Sequence, residues 1–117
     1  MDGRGGETDD RGRALVTPAQ GEIWWAETES ARRPVVIVTR SQAVSVLNRV
    51  VVAPVTRTVR NIPTEISLDE RDGVAVPCAA SFDNLQLIRR GLLIERVGAL
   101  HQPRVQICRA LSALADC

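Results

Sequence analysis

Short apolar runs separated by turn residues dominate this chain, and most have the length and β-branched content of strands. Glu22-Ile23-Trp24-Trp25-Ala26 follows Gly21 and predicts a first strand. Pro34 to Thr39 (PVVIVT) is continuously apolar and β-branched, which predicts a strand buried on both faces. Ala43, Val44 and Leu47 fall at helical spacing behind Ser41, so a short helix is expected over Ser41–Leu47 with Ser41 as its N-cap. Arg49 to Val55 is a further apolar strand. Its Pro54 has no N–H to donate, which predicts an edge or a bulge.

Beyond it, Asn61 to Leu68 alternates, with Ile62, Ile66 and Leu68 on one side. Asp69-Glu70-Arg71-Asp72-Gly73 reads as a solvated charged turn. Val74–Ala80, Leu85–Ile88 and Leu92–Leu100 supply the last strands. Pro103 suits the first turn of a helix, on which Val105, Cys108, Leu111 and Leu114 form an apolar stripe. Five to seven strands, a brief inserted helix and a terminal helix predict a mainly β (α+β) fold: a small, strongly bent barrel with a helix packed on it.

The first 13 residues change the picture at one end. They alternate acids, arginines and glycines without a large apolar side chain, and so bury too little surface to offset their ordering entropy. The expected division is a disordered charged tail over 1–16 and one folded domain over 17–117. With no apolar run of membrane-spanning length and no apolar signal core, no membrane partner is expected. Cys78, Cys108 and Cys117 are odd in number and widely spaced, which suits reduced thiols and a cytoplasmic location. Cys78 and Cys108 are expected in buried structural roles.

The net charge of +1 hides an unusual make-up, since all 15 basic residues are arginine. Setting aside the tail's four acids and three arginines leaves the remainder at +2. A GC-rich coding bias accounts for the count, so only the placement of the arginines bears on function. No cluster of His, Cys, Asp and Glu has metal-ligand spacing, no Gly-rich phosphate loop follows a strand, and no cofactor is expected. The lone His101 reads as a solvated residue at a helix start. An enzyme made from this chain works with arginine, hydroxyl and amide groups.

Four stretches occur in a telling order: Gly21-Glu22-Ile23-Trp24, Arg33-Pro34-Val35-Val36, Pro54-Val55-Thr56, and Glu70-Arg71-Asp72-Gly73-Val74-Ala75 ahead of Asp83-Asn84-Leu85-Gln86. Together they resemble the MazF/PemK/Kid family of toxin endoribonucleases over about residues 20–115. The resemblance implies an SH3-like barrel, a homodimer, cleavage of single-stranded RNA at short sequences, and a cognate MazE-like antitoxin that silences it. It also implies catalytic roles for Arg33, in the Arg-Pro motif, and for Thr56, at the end of the next strand. The tail, the all-arginine basicity and the Asp83-Asn84 variation from an Asp-Gln form depart from many relatives and bear on RNA sequence preference.

The physical chemistry agrees with those roles. Pro34 disfavours helix at Arg33 and holds it extended at a loop-to-strand junction. A guanidinium donating two hydrogen bonds to a phosphate, beside a hydroxyl, stabilises a pentacoordinate transition state. RNA supplies its own nucleophile, the 2′-hydroxyl, so neither metal nor activated water is needed. The bland alternative for Arg33 is an ion pair with Glu27 or Glu29. Arg32, Arg40, Arg57, Arg60, Arg89 and Arg90 are expected to gather around these segments and line an RNA groove. Aromatic residues are few, so base recognition would rest on edges read by Asp83, Asn84 and Gln86. Two other readings use the same barrel: a gyrase poison of the CcdB type, and an inactive RNA-binding barrel.

Overall fold

The computed structural model describes residues 17–28, 31–44 and 46–115. The expected tail over 1–16 lies outside the described residues, as do Glu29 and Cys117. Seven antiparallel strands form one curled sheet: β1 (Glu22–Glu27), β2 (Arg32–Ile37), β3 (Arg49–Thr56), β4 (Glu65–Leu68), β5 (Cys78–Ser81), β6 (Gln86–Arg89) and β7 (Leu93–Ala99). A short helix α1 (Ser41–Val44) joins β2 to β3, and α2 (Pro103–Leu114) follows β7. The order across the sheet is β4-β5-β3-β2-β1-β7, with β6 paired to β3 as well. The expected mainly β barrel is present as a curled half-barrel with a terminal helix.

The central strand is β3, and it forks. Its first half, Arg49–Val52, pairs with β6, while Val55 and Thr56 pair with β5. Pro54 sits in the gap between those two partners, where a missing N–H costs no ladder bond on that side. It is therefore neither on an edge strand nor in a bulge, as its residue type suggested, but at the point where the sheet splits. Register shifts in the β1–β7 pairing, at Ile23/Trp24 and at Trp25/Ala26, add further bend.

Period-two alternation sends side chains to two separate cores. Val36, Ala53, Val55, Ala80 and Phe82 fill one face, closed by Ile107 and Ala110 of α2. Trp24, Val35, Ile37, Val50 and Val52 fill the other, beneath Val44 of α1. The unbroken apolar run after Pro34 is thus buried on both sides, as expected.

Several sequence expectations are corrected. The helix α1 is a single turn, and Ser41 is not its cap: its hydroxyl accepts the Gln20 N–H at 2.8 Å. The strand expected from Asn61 starts only at Glu65, because Asn61 takes a left-handed conformation (φ +56°) and Pro63 follows. The one expected from Val74 starts at Cys78, just after Pro77. On α2 the inward face is Ile107 and Ala110, with Leu111 packed beside them, whereas Val105 is 52 % exposed, Leu114 is also exposed and Cys108 faces solvent. A stripe spaced by threes drifts off the 3.6-residue turn, and the i, i+3, i+4 set wins. Cys78 alone keeps the buried role expected for both cysteines.

Candidate active site

Residues directly opposite in an antiparallel pair share a face of the sheet. Val35 lies opposite Pro54 in the β2–β3 pair, and continuing that register by two residues sets Arg33 opposite Thr56. Across β5, Thr56 lies opposite Ala79, and Glu65 of β4 lies opposite Ser81. Arg33, Pro54, Thr56, Ser81 and Glu65 therefore occupy one face, the same that carries Val35 and Ile37 into the second core. One half of that face is apolar and covered by α1; the other half is polar and open.

Two grooves meet at Arg33 and Thr56, which line both. The first, of about 490 Å³, adds Arg32, Arg57, Trp25, Cys78 and the 74–76 segment. The second, of about 270 Å³, adds Arg60, Asn84 and Gln86, together with Thr58, Glu65 and Ser81. Arg33 is exposed and Thr56 half-buried. The Thr56 Oγ1 accepts the Thr58 N–H at 3.1 Å, which fixes the oxygen and leaves its proton available to a ligand. Among the described residues Arg33 has no ion-pair partner, and Glu27 stands opposite Arg32 instead.

The structure brings together most of the residues singled out from the sequence, but not all. Asp83 accepts a hydrogen bond from the Thr64 hydroxyl at 2.7 Å and lines neither groove. Arg40 is past the opposite end of β2, where its carbonyl accepts the Ala43 and Val44 N–H groups of α1. Arg89 stands across from Arg49 at the far end of β3, and Arg90 donates to the Val44 carbonyl at 2.6 Å. The single arginine cluster expected around the site is therefore corrected. Arg32, Arg33, Arg57 and Arg60 converge, and the other three serve the opposite end of the sheet. Glu65, Ser81 and Thr58 were not singled out: Glu65 and Ser81 meet only through the β4–β5 pairing, and Thr58 lies just past the end of β3.

The charged turn at 69–73 is more than a solvated loop. Asp69 and Asp72 cap a 3-10 turn reciprocally, and Asp72 is buried. Its Oδ2 accepts the Asp69 N–H at 3.0 Å, while Oδ1 is without a hydrogen-bond partner and lies 3.7 Å from Nδ1 of the exposed His101. Gly73 (φ +101°) and Gly98 let this turn press against β7; a Cβ on Gly98 would lie 1.8 Å from the Asp72 carbonyl oxygen. The turn thereby anchors the 74–76 segment that forms one wall of the first groove. In that groove, burial and the nearby Asp72 push the Cys78 thiol up, which outweighs the opposing pull of Arg57. A thiol held protonated is a poor nucleophile. Among the described residues no group of three or more His, Cys, Asp or Glu side chains is placed to hold a metal ion.

Comparison with known proteins gives a consistent answer. The chain is 38 % identical over 103 residues to a probable endoribonuclease MazF5 of Mycobacterium tuberculosis, covering 86 % of this chain and 94 % of that one. Among solved structures, the Mycobacterium tuberculosis toxin MazF-mt6 superposes with a TM-score of 0.72 at 34 % identity, over 80 % of this chain and 95 % of that one. A mycobacterial endoribonuclease solved with its cognate antitoxin shares the fold, with a TM-score of 0.72 at 22 % identity over 83 % of this chain and 94 % of that one. A family model described as PemK-like, MazF-like toxin of type II toxin-antitoxin system matches residues 19–115. With the polar half-face and its paired grooves, these matches show that the chain belongs to the PemK-like, MazF-like toxin family.

Proposed function

We propose that this chain is a toxin endoribonuclease that cuts single-stranded RNA through the substrate's own 2′-hydroxyl, with Arg33 and Thr56 at the scissile phosphate. The observation that carries this reading is their position: both stand on the wall shared by two grooves, where an extended strand passing from one groove to the other must cross them. The 2′-oxygen forms a bond to phosphorus as the bond to the 5′-oxygen breaks. The 2′ proton leaves to a base, and the 5′-oxygen gains a proton as it departs. Arg33 clamps the non-bridging oxygens and hydrogen-bonds the departing oxygen, and Thr56 adds a second donor. Arginine stays protonated, so it serves as clamp and donor and not as base. Arg32, Arg57 and Arg60 hold flanking phosphates, while Asn84 and Gln86 read base edges.

The working form in this reading is a homodimer in the cytoplasm, regulated by an antitoxin. An extended acidic antitoxin segment laid across the arginine-rich grooves would cover Arg33 and block RNA, as charge complementarity favours. The catalytic unit spans 17–117, and 1–16 is dispensable for cleavage. End-group analysis of cut RNA tests the chemistry. A 2′,3′-cyclic phosphate (or the 3′-phosphate from its opening) with a 5′-hydroxyl is expected; a 3′-hydroxyl with a 5′-phosphate would overturn it.

A further inference from the structure

The second groove has a chemical polarity that the cleavage reaction does not use. Glu65 is the one carboxylate that lines either groove among the described residues. Its Oε1 accepts the Arg60 N–H at 2.9 Å, which fixes the side chain, and no donor among the described residues is assigned to Oε2. Asn84 Nδ2 donates to the Ser81 hydroxyl at 2.9 Å, so the amide presents its Oδ1 as the free end. Two fixed acceptors thus face one small groove of about 270 Å³ beside the proposed scissile site.

A carboxylate in an RNA groove repels phosphate, and the oxygen left free by the Arg60 N–H favours a ligand edge rich in donors. Among the four bases only guanine offers two kinds of donor side by side, N1–H and the N2 amine, on its Watson–Crick edge. Cytosine and adenine set an acceptor next to their amine, and uracil flanks its single N–H with two carbonyls. We propose that Glu65, with Asn84, is a specificity-determining residue that selects guanine in the second groove, next to the cut. This rests on the endoribonuclease reading, and sharpens it from single-stranded RNA to RNA with a guanine at one fixed position.

The test is binding, measured apart from cleavage. Short oligouridylates, 2′-deoxy throughout to prevent cutting, carry a single guanine, hypoxanthine, adenine or cytosine, and fluorescence anisotropy gives their affinities for wild type and Glu65→Gln. The Gln variant keeps an oxygen for the Arg60 N–H but replaces the other acceptor with a donor. Wild type is expected to favour guanine by about tenfold or more, the scale of a matched base-edge contact. Hypoxanthine, which lacks the N2 amine, should lose most of that preference, and E65Q should erase it while binding plain oligouridylate more tightly than wild type does, because the charge that repels phosphate is gone. Equal affinity of wild type for all four bases would overturn the proposal, as would an unchanged guanine preference in E65Q. Loss of all binding in E65Q, with Glu65→Asp retaining the guanine preference, would support it; an unchanged preference in both variants would overturn it. Should the protein prefer guanine yet cut no RNA, the cleavage reading fails and the recognition site stands.

Discussion

At the scale of single residues, chemistry and stability are separable in this molecule. Arg33 is exposed and Thr56 is held by one local hydrogen bond, so neither anchors the core. Arg33→Ala is expected to slow cleavage on the order of 100-fold or more, the cost of losing a transition-state donor. Arg33→Lys should restore little, because an ammonium cannot reproduce the planar fork. Thr56→Ala should also slow the reaction, and Thr56→Ser should recover part of it. Initial rates on one RNA, with melting curves within about 0.5 kcal/mol of wild type, check these outcomes. Gly98→Ala is the opposite case: its Cβ meets the Asp72 carbonyl, so a loss of about 3 kcal/mol or more is expected in denaturant titrations. Arg33 and Thr56 were singled out by the family resemblance, and local rules account for where they stand: Pro34 extends one, and a strand end presents the other, so that both line the two grooves. Glu65 and the buried Asp72 were not, because their environment comes from strands distant in sequence.

At the scale of elements, strand existence was readable and strand limits were not. Apolar runs marked all seven strands, yet Asn61 and Pro63 delay β4, and Pro77 delays β5. The face of α2 turns on helical phase, and the structure sets Ile107 inward and Val105 outward. Ile107→Ala should therefore cost about 2–5 kcal/mol, while Val105→Ala should change the stability of the folded protomer little. Chemical denaturation of the two variants distinguishes them. The start of β1 is tied to β7 by an ion pair at 2.9 Å between Glu22 and Arg96. Burial pushes the Glu22 carboxyl up, but hydrogen bonds from the Trp24 indole, the Ala19 N–H and Arg96 outweigh it and hold its pKa below the ordinary 4.5. A depressed folded pKa gives stability that is fully present above the unfolded value and is lost as pH falls through the folded one. Unfolding midpoints should thus decline below about pH 4.5, and Glu22→Gln should start lower at neutral pH and show a shallower acid decline.

At the scale of the whole molecule, the curled sheet divides its labour between two faces and two ends. One face is core beneath α2 and opens at its ends, at Leu87 on one side and at the first groove on the other; the second face is core under α1 and open where Arg33 and Thr56 stand. Leu87 at 64 % exposure and Ile94 at 42 % leave apolar surface on β6 and β7, and Val105 does the same on α2. Covering such surface with a second copy fits the proposed homodimer. Light scattering at micromolar concentration should give twice the protomer mass, and a monomer alone would refute it. One chemical substitution in the substrate tests attack by the 2′-hydroxyl most directly. A synthetic RNA containing the mapped cut site is incubated with the protein in EDTA, beside the same RNA with a single 2′-deoxy residue at that site. The RNA is expected to be cut at its full rate in EDTA, and the deoxy-substituted strand is expected to stay uncut at that site. Cleavage that persists without the 2′-hydroxyl, or that stops when EDTA is added, would contradict the 2′-hydroxyl mechanism.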